Sequence, residues 1–569
     1  DISLQNKNLS EYISELKSFI NNNDYLSCID LLSQAIKHFP HEEKLKLNLG
    51  NIYKMLERKE EAIDVYTSLL ETSLSSIAYN NLSLIMLELG NNQKSIEYAR
   101  EALKSNKEYN DAKYNLAVGL FENKEYLKSL DICLELASDS DYKNRAFELK
   151  VRIEQITCNW DNYVQTQQLL KSNQVTVHPF LHISSVSNEI SNYENACTWG
   201  KNNMSSLIKK EITKTDDKIR LGFLCGEIRN HPTFYLVKNF FKNIDNNIFS
   251  IYMFSYNHET DKKLHIEQDF DEFIDITPLS TTESTNKIES YDLDILIDLT
   301  TIISHNRSNI IHQDIAKITI AYLGFPGTTG SQIYDYILTD NVVTPLDKQK
   351  YFAEQFLYLS KSYQINNGDI NTDIKNERSD FSLPNEKIIL GCLNQSFKLD
   401  PIFFEIWLNI MKNHENTYLW LLDYGNEMKE NINKFIDKRI DSKRIIYADR
   451  IDYERHLQRI QHIDIALDTR IYNGHTTTIE MIQAGIPLVT LKGSHFASRV
   501  SSSILKSLEL NDFITESYGE YERKITSLID QNERTSAKNL IIQKINNPKI
   551  FSVKSFTKDF EQALLKCFS

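Results

Sequence analysis

The chain has 569 residues, room for three or four domains of ordinary size. Hydrophobic residues make up 41% and charged residues 25%, values of a soluble globular protein, so the whole chain is expected to fold. Acidic residues outnumber basic ones 78 to 64, a formal charge of −14, which argues against wrapping a nucleic-acid backbone but leaves room for a local basic cleft holding a diphosphate.

Only 16 glycines and 10 prolines occur, which points to a helix-rich body without long flexible linkers. The seven cysteines are scattered and show neither CxxC nor Cys/His metal-ligand spacing, so reduced thiols, no metal and a cytoplasmic location are expected. No apolar run reaches the roughly 18 residues of a membrane span and the first residues lack a signal-peptide pattern, so no membrane partner is expected. The sequence opens on Asp1 rather than Met, as a trimmed chain would.

Residues 1–150 repeat. Asn48-Leu49, Asn81-Leu82 and Asn115-Leu116 recur at spacings of 33 and 34 residues. Each is followed by a small residue and an aliphatic one, at Ala62-Ile63, Ser95-Ile96 and Ser129-Leu130, and Cys28-Ile29 supplies a fourth copy. The period is that of the tetratricopeptide unit, two antiparallel helices crossing at a small residue. One such hairpin cannot bury its apolar stripe, so neighbours stack into a superhelix whose concave groove suits a polypeptide partner.

A transition segment over 151–215 contains CNWDNY (158–163) and VHPFLH (177–182). Short apolar runs then alternate with helix-length stretches. Strands are expected at 219–225, 249–256, 293–299, 318–324 and 335–340, within a first lobe at 216–370. A second series is expected at 388–394, 418–423, 444–448, 463–469 and 487–491, within a second lobe at 383–569. Such alternation is the pattern of parallel, doubly wound sheets, here two Rossmann-like lobes joined by the polar stretch 366–382 as linker or hinge. Ligands in such sheets bind beyond the carboxyl ends of the strands.

Four motifs follow expected strand ends. In LDTRIYNGHTTTIEMIQAG (467–485), His475, Thr476 and Thr477 open a helix whose free N–H groups and dipole would hold a diphosphate, with Glu480 one turn on for ribose hydroxyls. Helix capping alone would not need three consecutive threonines. In LNQSFKLDP (393–401), Lys398 brings a cation to a strand end beside Asn394 and Gln395, where it would stabilise a departing diphosphate without a metal. CGEIRNHPT (225–233) places Glu227 and His231 four residues apart, as base and hydrogen-bond partner, or else with Glu227 favouring the start of a helix near Pro232. The glycines of LGFPGTTG (323–330) allow either close approach to a ligand or a plain tight turn. His456 and Arg459 share one face of a further helix.

Together, the repeats, CNWDNY, VHP, GEIRNHPT, LGFPGTTG with DYILTD, LNQSFKLDP, YLWLL, YNGHTTTIEMIQAGIPLVTL and ASRV resemble the protein O-GlcNAc transferases, in one order along nearly the whole chain. The resemblance implies an α-helical tetratricopeptide superhelix followed by an α/β GT-B fold. It implies inverting, metal-independent transfer of N-acetylglucosamine from UDP-GlcNAc to Ser/Thr of protein acceptors. By position, His475, Thr476 and Thr477 would hold the diphosphate, Glu480 the ribose, and Lys398 the leaving UDP with Gln395 beside it. His456, Arg459 and the backbone near Ile451 would recognise uracil. Glu227, His231, Thr233, Leu323, Gly324 and Pro326 would line the sugar and acceptor side, with Glu227 as general base or first member of a water relay.

Several positions depart from the animal enzymes. Glu227 stands for Asp, Phe180 for a second His, Phe397 for Tyr, Tyr453 for Lys, and Thr301-Ile302 for Gly followed by Tyr or His. The large insertion between the lobes is absent, as in a bacterial-type member. Two other readings remain: a related protein glycosyltransferase using another UDP-hexose or an Asn acceptor, and a non-catalytic repeat scaffold.

Overall fold

A computed structural model describes residues 7–22, 24–204, 218–229, 231–257, 266–303, 305–312 and 315–568. Asn230 of the GEIRNHPT motif and the expected boundary near residue 215 lie outside the described residues. The chain forms two compact units, Asp1–Ile153 and Glu154–Ser569.

In the first unit, helices pair as Leu9–Asn21 with Tyr25–His38, Glu43–Met55 with Lys59–Thr67, Ser75–Glu88 with Asn92–Ser105, and Asn110–Glu122 with Tyr126–Leu136. The small repeat markers Cys28, Ala62, Ser95 and Ser129 are fully buried where paired helices cross. Side-chain bulk there would separate the helices, and the two serines instead use their hydroxyls at the crossings. Ser95 Oγ lies 2.9 Å from Ser83 Oγ, and Ser129 Oγ donates to Ala117 O at 2.7 Å. Gly50 obeys the same constraint, since a Cβ there would meet the Tyr66 ring at 2.7 Å.

The second unit holds two parallel sheets. The first comprises β1 (Ile219–Cys225), β2 (Phe249–Ser255), β3 (Glu272–Asp275), β4 (Ile295–Asp298), β5 (Ile318–Ala321), β6 (Tyr336–Asp340) and β7 (Gln355–Leu359). Its order is 3-2-1-4-5-6-7, with Leu221 opposite Ile295 at the central β1/β4 pair. The second comprises β8 (Ile388–Cys392), β9 (Thr417–Leu422), β10 (Ile445–Ala448), β11 (Ile465–Leu467), β12 (Leu488–Leu491) and β13 (Ile514–Thr515), in the order 10-9-8-11-12-13. Central strands are buried on both faces, which is why they read as continuous apolar runs. All ten expected strands form, and among the described residues three more, β3, β7 and β13, each sit at a sheet edge.

Three connections tie the unit together. Trp160 packs edge-on against Phe435 at 4.9 Å and against Phe404 in the second lobe, while Gly200 lies so close to Gly330 that a Cβ would sit 3.1 Å from its backbone. The segment after residue 154 therefore buttresses both lobes. The polar stretch 366–382, irregular apart from a 3-10 turn at Arg378–Phe381, is firmly held. Asn367 Nδ2 donates to Tyr235 O at 2.9 Å, Gln483 Nε2 donates to Asn367 Oδ1 at 2.6 Å, and Asn371 Nδ2 donates to Leu457 O at 2.7 Å. Finally, helix Val553–Leu565, which sequence order assigns to the second lobe, packs on the first. Phe560 meets Phe240 at 4.9 Å, and Asp245 N donates to Glu561 Oε1 at 2.6 Å.

Candidate functional site

At the carboxyl end of β8 the chain turns through Asn394 and the exposed Gln395 into a short turn, Ser396–Lys398. Lys398 Nζ donates to Asn473 O at 2.9 Å and lies 4.5 Å from the Tyr472 ring centroid. Burial pulls its ammonium down to about 8, against the opposing pull of Asp468. Asp468, at the end of β11, accepts from Gly474 N at 2.7 Å, Thr469 N at 2.9 Å and Thr490 Oγ1 at 2.6 Å, and so fixes the loop that presents Asn473.

That loop delivers His475 to the start of helix Thr476–Gln483. The side chain of its N-cap residue, His475, makes no capping hydrogen bond. Thr477 Oγ1 donates to Asn394 Oδ1 at 2.5 Å, and Thr478 Oγ1 donates to Gly474 O at 2.9 Å, so these threonines fasten the loop. The first-turn amides are thus left for an anion, next to the Lys398 cation. His475 stacks on Tyr472 at 4.8 Å, and burial with the Lys398 charge holds its imidazole neutral. Its Nε2 is buried without a hydrogen-bond partner.

One turn further, Glu480 is buried and its Oε2 lies 3.3 Å from His456 Nε2. Arg459 Nε donates to His456 Nδ1 at 3.0 Å, which makes Nδ1 the acceptor and leaves Nε2–H to donate to Glu480. Arg459 is anchored in turn by Asp449 O at 2.5 Å, and burial pulls its guanidinium down to about 10. Ile451 is half-buried in the turn before helix Tyr453–Arg459, which Asp452 caps by accepting from Arg455 N at 2.9 Å.

In the first lobe, β1 leads into Gly226, whose N–H donates to Thr300 Oγ1 at 2.8 Å. Glu227 is 2% exposed, and its Oε2 accepts from Arg229 NH2 at 3.0 Å and approaches His231 Nδ1 at 3.2 Å. The helix Pro232–Val237 is capped by His231, whose side chain accepts from Thr233 N at 3.3 Å, so Glu227 does not serve as its cap. Burial raises the Glu227 carboxyl while Arg229 opposes; burial and Arg229 push His231 down to about 4. The imidazole is the accessible member of the pair, with the carboxyl behind it. Thr233 is buried beneath.

The glycines of 323–330 answer first to architecture. Leu323 has φ 71°, and a Cβ on Gly324 would lie 2.4 Å from Thr300 O. Gly330, at φ 70°, would collide with Ala196 at 2.1 Å. Close approach is therefore to the protein's own backbone, and Pro326 follows in the same loop. Thr328 and Thr329 bind the buried Glu354, with Thr328 Oγ1 donating at 2.6 Å.

Three features were not anticipated from sequence. Arg229 engages Glu227, Tyr235 stacks on Tyr453, and Phe180, Phe397 and Tyr472 form a ring triangle with centroids 5.5–5.7 Å apart beside Lys398. Phe180 and Phe397 are both departures from the family pattern, and they touch. Paired substitution of two polar positions by Phe was the available signal.

The family description Glycosyl transferase family 41 matches residues 193–375 and 368–560, and tetratricopeptide-repeat descriptions match 44–74 and 82–143. The chain is 30% identical over 364 residues to the probable UDP-N-acetylglucosamine–peptide N-acetylglucosaminyltransferase SEC of Arabidopsis thaliana, covering 62% of this chain and 37% of that protein. It is 22% identical over 552 residues to the UDP-N-acetylglucosamine–peptide N-acetylglucosaminyltransferase of Caenorhabditis elegans, covering 72% and 48%. The chain thus spans less than half the length of these curated relatives. A mutant O-GlcNAc transferase of Thermobaculum terrenum superposes with a TM-score of 0.69 at 20% identity, over 92% of this chain and 97% of that one, and so shares its fold of helical repeats and GT-B lobes. Because the family match runs across both lobes and covers more than half of its residues, this chain belongs to glycosyl transferase family 41.

Proposed function

We propose that the chain transfers N-acetylglucosamine from UDP-GlcNAc to Ser or Thr hydroxyls of polypeptides, with inversion and without a required metal. The observation that carries the reading is the uncapped start of helix Thr476–Gln483 beside the Lys398 cation and neutral His475, a site built for a diphosphate. The names of the relatives supply the sugar and the peptide acceptor. The acceptor oxygen attacks the anomeric carbon from the face opposite UDP and forms the new C–O bond, while the sugar–phosphate C–O bond breaks. The acceptor proton passes to Glu227, directly or through a water relay, with Arg229 and His231 beside its carboxylate. Negative charge on the departing UDP is taken up by Lys398 and the helix amides. Thr476 and Thr477 line the diphosphate, Gln395 flanks it, Glu480 faces the ribose, and His456, Arg459 and the Ile451 backbone read the base. Thr233, Leu323, Gly324 and Pro326 border the sugar and acceptor. The repeat groove would hold the polypeptide. Seven free cysteines suit a reducing compartment, and the proposed setting is the cytoplasm.

One observation favours a second donor sugar: Phe180 and Phe397 give Lys398 an apolar neighbour where the family carries polar groups. UDP release with UDP-GlcNAc and with UDP-Glc, in the presence of acceptor peptide and with or without EDTA, tests both readings. Faster release from UDP-GlcNAc, insensitive to EDTA, is expected. Preference for UDP-Glc would install the second reading, and release from neither would remove both.

A further inference from the structure

Asn394 and Asp468 hold the two ends of the loop that leads to His475. Between those ends, the stretch 470–473 meets the Lys398 turn at two points. Lys398 Nζ donates to Asn473 O at 2.9 Å, and Arg470 NH2 and Nε donate to Asp400 Oδ1 at 3.1 and 3.3 Å. Residues 398–400 and 470–473 therefore form a closed ring. Tyr472, a member of it, sets its aromatic ring 4.5 Å from the Lys398 ammonium.

Arg470 has a further partner. Its NH2 also donates to the Tyr163 hydroxyl at 2.9 Å, and Tyr163 opens helix Tyr163–Lys171 in the segment that buttresses the lobes. The Arg470 and Asp400 side chains are only 13% and 4% exposed, so this is an interior ion pair. Asp400 Oδ1 also accepts from Ile402 N at 3.0 Å and Phe403 N at 3.4 Å, which caps helix Pro401–Asn413. Capping alone needs only an oxygen at that position. It needs neither a cation from another loop nor a tyrosine to orient that cation.

The ring bears on what Lys398 is free to do. An ammonium is a rotatable point charge, whereas a guanidinium is a rigid fork that stays charged. With Arg470 in place, the stretch 470–473 stays against the Lys398 turn whether or not Lys398 holds Asn473 O. The ammonium can then turn its donors to a diphosphate without releasing the loop that carries His475. Without Arg470, the same ammonium would have to hold the stretch and the ligand together. We propose that Arg470 is a positioning residue of the diphosphate site, which fixes the spacing between Lys398 and the His475 loop through Asp400, with Tyr163 orienting its guanidinium. This rests on the donor-site reading given above.

The test is titration calorimetry of the full chain with UDP and, by displacement, with uridine, together with kcat and donor KM. The proteins are the wild type, Arg470→Met, Arg470→Lys, Tyr163→Phe and the double variant Asp400→Asn/Arg470→Met. Wild type is expected to prefer UDP over uridine by at least about tenfold, the scale of hydrogen bonds to a charged group. Arg470→Met should narrow that preference about tenfold and lower kcat, while uridine affinity holds, because the proposed base contacts lie on another helix. Arg470→Lys keeps the charge but not the fork and should recover part of the loss. Tyr163→Phe should cost about two- to tenfold in UDP affinity, as one neutral hydrogen bond implies. The double variant strands no buried charge, so it folds even where Arg470→Met does not, and it should still show the narrowed preference. Wild-type preference for UDP in the double variant would reduce the pair to charge balance and overturn the proposal. Equal loss for UDP and uridine in the Arg470 variants would overturn it as well, by making the effect general. A wild type that binds UDP no better than uridine would instead overturn the donor-site reading, and the proposal with it.

Discussion

Replacing Lys398 by Ala isolates the cation on which the proposed chemistry depends. The ammonium is fixed by Asn473 O at 2.9 Å and by the Tyr472 ring at 4.5 Å, so little reorganisation is needed as charge develops on a leaving diphosphate. A unit charge about 4 Å from another, at an effective dielectric near 20, contributes about 4 kcal/mol. Removing one preorganised oxyanion donor typically costs about 2.7–4 kcal/mol, roughly 10²–10³ in rate. The expected result is therefore a fall in kcat of that order, with the melting temperature nearly unchanged. UDP release at saturating donor reads the rate. A pH series sharpens the test. The amine sits at about 8 in the unliganded protein, charged below that value and neutral above it, so kcat/KM should decline as pH rises through 8. Lys398→Arg stays charged and should show no such limb, at reduced rate. Turnover of the Ala variant within about threefold of wild type would refute the assignment, as would an unchanged alkaline limb in the Arg variant.

Glu227→Gln should lower turnover about a hundredfold, the range of general-base catalysis, while donor KM stays constant because the proposed nucleotide contacts lie on other strands. Glu227→Asp should recover part of the rate, and native-rate transfer by the Gln variant would leave His231 acting without it. Deleting residues 1–150 should abolish modification of polypeptides yet spare UDP binding; normal modification by the soluble truncated protein would deny the repeats that role. Acid stability offers a separate check. His495 is buried and held at about 3 against an ordinary 6.5, so its share of stability is complete above pH 6.5 and is lost as pH falls toward 3. At about 1.4 kcal/mol per pH unit, one such proton removes about 2 kcal/mol between pH 6.5 and 5. Melting curves of His495→Gln should show a pH slope shallower by that amount, and an unaltered slope would exclude the histidine as its source.

The interior of both sheets was legible because strands covered on both faces must be apolar throughout, as in β1, β4 and β8. Edge strands lack that constraint. β3 buries only Ile274, β7 alternates, and β13 has two residues, so none stands out from its flanks. The stretch 366–382 read as linker or hinge because asparagine, aspartate and glycine dominate it, and that composition gave no sign that Asn367 and Asn371 bind backbone on neighbouring elements. Within the site, Lys398 just past a strand end, His475 at a helix start and Glu480 one turn further on followed from local pattern. The Arg229–Glu227 pair and the Tyr235–Tyr453 stack did not, since neither period nor spacing encodes a meeting of side chains from different loops or lobes.

The return of helix Val553–Leu565 to the first lobe sets a schedule for synthesis. Phe240 emerges from the ribosome roughly 300 residues before Phe560, its partner at 4.9 Å. At about 5–20 residues per second, the apolar side of the first sheet waits some 15–60 s for its cover. During that interval the second lobe is made and can fold, while the first holds an open apolar surface. Nascent chains stalled before residue 553 should therefore be the species that recruit holdase chaperones, and emergence of helix Val553–Leu565 should be the event that frees them.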